Sequence, residues 1–180
     1  DLKHVPKDYL IVASMHTPLT STEDGKELIS LLSDFPYTLS FSAHTHYQRD
    51  DFIPPLDPAD TSALAEDPTR DQISDTSNRE EKVQEPAHHH HNHATVSGSW
   101  WSGEKDELGI PHTIMSDGAP NGYSIVTFSG NQYKIRFKVA RRPADYQMNI
   151  YTPWEVSTDR LSETPVTVNV FAGNKRTRVE

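Results

Sequence analysis

Three histidines stand where a strand hands its chemistry to solvent. His16 closes the apolar run YLIVASM (residues 9–15), and His44 and His46 follow the alternating run YTLSFS (residues 37–42) as Ala43-His44-Thr45-His46. Neutral imidazole is the commonest side-chain metal ligand. In α/β sheets, ligands bind outside the carboxyl ends of the strands. Three imidazoles at the ends of two successive parallel strands therefore converge on one rim, and metal binding is the chemistry they suit. On extended backbone, His-x-His points both rings to one side; on a bent loop the rings diverge toward two ions.

A second group is denser. His88 to His91 and His93 put five histidines within six positions. The run lies mid-chain and passes into β-prone aromatic residues, so it reads as native and not as an affinity tag. Its place after His46 suggests a position on or near the same rim, where His89, His91 and His93 could meet a substrate. The bland reading is a polar loop with more histidine than it needs. In a strand, neighbouring side chains take opposite faces, so of Trp100 and Trp101 one packs in the core and the other, Trp101, faces the site.

The elements that must position these groups follow from periodicity. Residues 9–15 read as a buried strand of a parallel sheet. Ser21 or Thr22 is placed to cap a helix, Glu23 and Asp24 favour its positive end, and Leu28, Ile29, Leu31 and Leu32 give it an apolar face. Phe35-Pro36 stops it, and residues 37–42 form a second strand, completing a βαβ unit. Tyr9 and Phe41 are expected in the core. Residues 54–87 carry nine acids against three bases and no apolar period; they read as an exposed acidic insertion with a short helix at 61–66. Beyond it the chain is β-rich. Strands are expected at 94–101 and 112–115, and a hairpin at 123–128 and 132–140 across Ser129-Gly130-Asn131. Residues 141–164 read as a linker, and 165–171 as the first strand of a further β domain running to 180. Asp106 and Asp117 read as turn-formers, and Asn121-Gly122 as a turn.

Composition narrows the chemistry. A net charge of −9 argues against a nucleic-acid surface and favours cations as partners. The absence of cysteine excludes thiolate catalysis and disulfides. No apolar run is long enough to read as a membrane span. There is no Gly-x-Ser-x-Gly elbow and no phosphate-cradling Gly-rich lysine loop.

SFSAHTHYQ resembles the final Gly-His-x-His motif of calcineurin-like metallophosphoesterases, with Ala43 where that family usually has Gly, and MHTPL resembles the single-His motif before it. The stretch HHHHNHATVSGSWWSGEKDELGIPHTIMSDGAPNGYSIVTFSGNQYKIRFK is similar to bacterial members that carry an extra C-terminal β domain. The resemblance implies an α/β fold of the α+β kind: residues 1–140 as the carboxyl half of a β-sandwich flanked by helices, then the linker, then the start of the β domain at 165–180. It implies hydrolysis of a phosphate ester at two divalent ions (Fe, Mn or Zn), with His16 and His44 on one ion and His46 on the other. It also implies Asp-x-His, Gly-Asp and Gly-Asn-His motifs, none of which occurs here; these would supply the bridging Asp and the general-acid His. The remainder of its own catalytic domain is then a partner, and a periplasmic or secreted setting is expected. The competing reading is a non-catalytic β-rich module that binds glycan or protein through its tryptophans. It would depend on Trp100 or Trp101 and not on His46.

Overall fold

The computed structural model describes residues 2–55, 87–173 and 177–179. The acidic stretch, apart from its first two residues and its last, and the expected helix at 61–66 lie outside the described residues. The chain divides into two compact units, residues 1–45, 49–93 and 127–134 in one and residues 46–48, 94–126 and 135–180 in the other.

The first unit contains the expected βαβ. Strand β1 (Ile11–Ser14) runs parallel to β2 (Thr38–Ser42), with Ile11 opposite Thr38. Helix α1 (Gly25–Leu32) joins them after a single 3-10 turn, Leu19–Ser21. The helix starts later than its cap residues suggested. Thr22 Oγ1 donates to the Leu19 carbonyl at 3.2 Å instead of accepting from the helix, and Asp24 takes the cap position. Leu19 O comes so close that a Cβ on Gly25 would meet it at 2.1 Å, so only glycine lets the helix begin there. Ile29 and Leu32 are buried, and Leu28 packs partly, but Leu31 is 51% exposed. The buried stripe is thus narrower than the four expected residues. Leu19, Ile29 and Ile53 form the small apolar core of this unit, with Met15 and Leu28 against it. Tyr9 is exposed, and Phe41 is half-buried with its ring edge-on to His91 at 6.0 Å.

The histidine run is a strand and not the polar loop of the bland reading. His88–Asn92 is strand β4, lying between β2 and strand β3 (Arg49–Ile53) in the order β1-β2-β4-β3. It is parallel to β2, with Leu39 opposite His89, and antiparallel to β3, with Asp50 opposite His91. Histidine is no strong strand former, but strand preference depends on what the side chains pack against. Here the neighbouring strands supply hydroxyl and carboxylate partners.

The hairpin forms as expected from β5 (Gly122–Ser129) and β6 (Gln132–Val139), and residues 127–134 at its turn are grouped with the first unit. In the second unit, Ala94, Met115, Ala119, Phe137, Val139 and Phe171 make the core. Residues 94–101 are not a strand. Thr95 Oγ1 donates to Gly98 O at 2.7 Å, Gly98 N–H to Thr95 O and Trp101 N–H to Ser97 O, closing successive turns. These local bonds compete with extended structure. Trp100 and Trp101 both take left-handed backbone (φ 69° and 53°) and are 78% and 48% exposed, so neither fills the core. The stretch 112–115 is reduced to an isolated bridge between Ile114 and Pro120. Asn121 is buried and Gly122 opens β5 in place of a turn; a Cβ there would lie 2.6 Å from the Phe137 ring.

Asp106 and Asp117 do shape turns, accepting from Leu108 and Ile110 N–H and from Ala119 N–H. Residues 141–164 are more than a linker: they hold strand β7 (Met148–Tyr151), which pairs antiparallel with β8 (Thr167–Val170). One α-helix with sheets of four, two and two strands among the described residues is a mixed arrangement compatible with the α+β class.

Candidate metal-binding site

Two of the strand-end histidines meet. Met15 N–H donates to Phe41 O (3.0 Å) and Ala43 N–H to His16 O (3.1 Å), so the β1–β2 ladder continues past both strands. His16 Nε2 and His44 Nδ1 lie 2.8 Å apart with the rings at 71°. Only one proton fits between two such nitrogens, and a single cation can take its place. The loop is bent, since His44 and His46 have φ 64° and 56°. Left-handed backbone is unfavourable for residues with a Cβ, and such strain concentrates at functional sites. Ala43 is not among the left-handed residues, so its replacement of glycine carries no backbone penalty. His46 belongs to the second unit, where its ring lies 4.7 Å from that of Trp100.

Strand β4 presents two chemically different faces, as the period of two requires. On one, His88 and His90 are buried and bonded to the hydroxyls of β2. Thr38 Oγ1 is 2.9 Å from His88 Nδ1, and Ser40 Oγ is 2.7 Å from His88 Nε2 and 2.6 Å from His90 Nδ1. Leu19 N–H lies 3.3 Å from His90 Nε2. Ser42 Oγ, 2.9 Å from His90 Nε2, continues the chain to Asn92 Oδ1, and Asn92 Nδ2 donates to Thr45 Oγ1. Burial, reinforced by neighbouring histidines, lowers the pKa of both His88 and His90 to about 4. Both rings are neutral at neutral pH.

The other face carries a carboxylate. Asp50 Oδ1 lies 2.9 Å from His89 Nε2 and 2.6 Å from His91 Nδ1. Burial alone would raise the Asp50 pKa, but the hydrogen bonds and charge of His89 and His91 outweigh it, and the carboxyl is held well below the usual range. The His89 ring stacks with those of Phe52 at 4.5 Å and Tyr133 at 5.6 Å, and the Tyr133 hydroxyl is 2.7 Å from its Nδ1. Burial and the Asp50 charge raise Tyr133 to about 12. Asp50, His89 and His91 offer three ligand atoms all within 4.8 Å of one another, a group that could hold a metal ion.

Of the residues singled out from sequence, His16 and His44 are together, His89 and His91 are together on β4, and His46 packs with Trp100. His93 is half-buried beyond β4, its N–H donating to Ser42 O at 2.9 Å. Trp101 stands exposed on its turn. Asp50 and Tyr133 were missed. Asp50 is the second residue of a short strand that stops before Pro54-Pro55. Reading residues 49–53 as a strand would have put Asp50 and Phe52 on one face, with Arg49, Asp51 and Ile53 on the other. The pairing of Asp50 with His91 would still have needed the register, and no comparable signal marks Tyr133.

The family described as the C terminal of calcineurin-like phosphoesterase matches residues 90–180. No curated protein and no solved structure matches the chain.

Proposed function

The chain belongs to the calcineurin-like phosphoesterase family, through its C-terminal region, and from that premise we propose that it serves metal-dependent hydrolysis of a phosphate ester, with His16, His44 and His46 as its ligands to two divalent ions. The observation that carries this reading is the pairing of His16 with His44, two ring nitrogens 2.8 Å apart at the ends of adjacent parallel strands. Both are exposed, and both are aimed by backbone bonds and not by a packed core. That arrangement suits donors that a cation and a substrate must reach. When bound, the ions would supply Lewis acidity toward phosphate oxygens and would make water acidic enough to react near neutral pH; iron, manganese and zinc all suit such ligands.

The residues of this chain orient and support. The extended ladder holds His16 against His44, the bent loop at 43–46 turns His44 and His46 separately, and Trp100 lies against the His46 ring. A bridging carboxylate and a general acid come from no motif in this sequence, so the proposal concerns the natural polypeptide that carries it. The test is hydrolysis of p-nitrophenyl phosphate and bis-p-nitrophenyl phosphate by the longest natural polypeptide, stripped of metal and then given manganese, iron(II) or zinc. Metal-restored activity that falls at least about 100-fold in His44→Ala/His46→Ala, with the fold retained, is the expected result. Equal activity in the double variant would refute the assignment.

A further inference from the structure

The cluster on the outer face of β4 is separate from the strand-end histidines and does not depend on their assignment. We propose that Asp50, His89 and His91 form a further site for a divalent transition-metal ion of the zinc type, one that pins β3 to β4.

Two histidines and a carboxylate with one position left for water is a well-suited zinc donor set. His89 and His91 are two apart on one strand, and Asp50 is the direct cross-strand partner of His91. All three donors therefore stand on paired strands, where positions are held more closely than on loops. Around a tetrahedral ion with bonds of about 2.0–2.1 Å, ligand atoms lie roughly 3.3 Å apart. The observed contacts of 2.9 and 2.6 Å from Asp50 Oδ1, and the 4.8 Å limit across the group, bracket that spacing. Small side-chain rotations suffice.

The surroundings point the same way. A metal-bound histidine almost always has its other ring nitrogen hydrogen-bonded, which fixes its tautomer. His89 Nε2 faces Asp50, and its Nδ1 faces the Tyr133 hydroxyl at 2.7 Å. With Nε2 given to an ion, the ring proton moves to Nδ1 and donates to Tyr133 Oη. Phe52 and Tyr133 hold the ring plane. The side chains of His89 and His91 are only 12% and 1% exposed, whereas that of Asp50 is 26% exposed, which leaves an entry path and room for a water ligand. The inner-face histidines are unsuited to this role, because Ser40 ties His88 to His90 through a hydroxyl and not a carboxylate.

The test uses the 180-residue chain carrying His16→Ala/His44→Ala/His46→Ala, which removes the strand-end donors. After chelator treatment it is titrated with zinc by calorimetry and with cobalt(II) by visible absorption. One ion per chain, with the intense bands of four- or five-coordinate cobalt, is expected, together with a rise in melting temperature on adding zinc. Asp50→Asn and His91→Gln, changes of similar size whose folding is checked by circular dichroism, should each abolish that stoichiometric binding. Tyr133→Phe should weaken it about 10–100-fold and leave the stoichiometry at one. No ion in the triple variant, or weak multiple binding unchanged by Asp50→Asn and His91→Gln, would overturn the site. Because the strand-end histidines are absent throughout, failure here leaves the phosphoesterase reading untouched.

Discussion

The two faces of β4 carry the same residue type and do opposite things with it. On the inner face, His88 and His90 are neutral hydrogen-bonding spacers whose every ring nitrogen meets a hydroxyl or a backbone N–H. On the outer face, His89 and His91 converge on a carboxylate. Position along the strand differs by one residue, and the neighbouring strand decides the chemistry. Thr38, Ser40 and Ser42 of β2 meet one face, where Asp51 of β3, opposite His90, is paired with Arg49, while Asp50 of β3 meets the other. A histidine in a strand is thus not a site until its cross-strand partner is known.

Acid should separate the faces most strongly. His88 and His90 have folded pKa values near 4 against 6.5 unfolded, so as pH falls the unfolded chain takes up protons first. Stability is unaffected above about pH 6.5, is lost between 6.5 and 4, and loses no more from these rings below 4; the cost reaches about 3 kcal/mol per ring. Asp50 works in the other window: its depressed carboxyl contributes stability above its unfolded pKa near 3.8, and loses it only as pH falls below that value. Denaturant midpoints of metal-free protein from pH 7 to 3 should show the histidine limb first, and His90→Asn should flatten that limb alone.

Removing a partner from each face sharpens the contrast. Ser40→Ala leaves a buried ring nitrogen unpaired on each of His88 and His90, and should cost about 3 kcal/mol. Tyr133→Phe removes one partly buried hydroxyl and should cost about 1 kcal/mol without metal. Urea titrations of both variants compare them directly; equal costs would contradict the distinction. Gly122→Ala is the control in the other unit. Its Cβ would meet the Phe137 ring, an overpacking worth about 2 kcal/mol, and it should leave zinc binding unchanged. At the small end, Leu31→Ala on the exposed side of α1 should stay within about 0.5 kcal/mol, as a surface change does.

What the sequence revealed follows from where periodicity carries the information. The βαβ unit, the β5–β6 hairpin and strand β8 were legible, because their apolar residues repeat at helix or strand spacing and are bounded by turn residues. The meeting of His16 with His44 was legible from their places at the ends of two parallel strands. The histidine strand was not legible: its partners are hydroxyls 48–50 positions away, and nothing in a polar run announces a buried strand. Residues 94–101 misled in the other direction, since a β-prone composition is overridden by the turn that Thr95 and Gly98 close. Asp50 escaped because a lone carboxylate in a polar stretch acquires meaning only through pairing with His91.

The most direct test of the two-face account is long-range proton–nitrogen NMR of the histidine rings at neutral pH, with zinc added to the metal-free chain. The account predicts that His88 and His90 stay neutral, with ring-nitrogen shifts unchanged by zinc, while His89 Nε2 and His91 Nδ1 shift together at one equivalent. Movement of all four rings together, or of none, would contradict it.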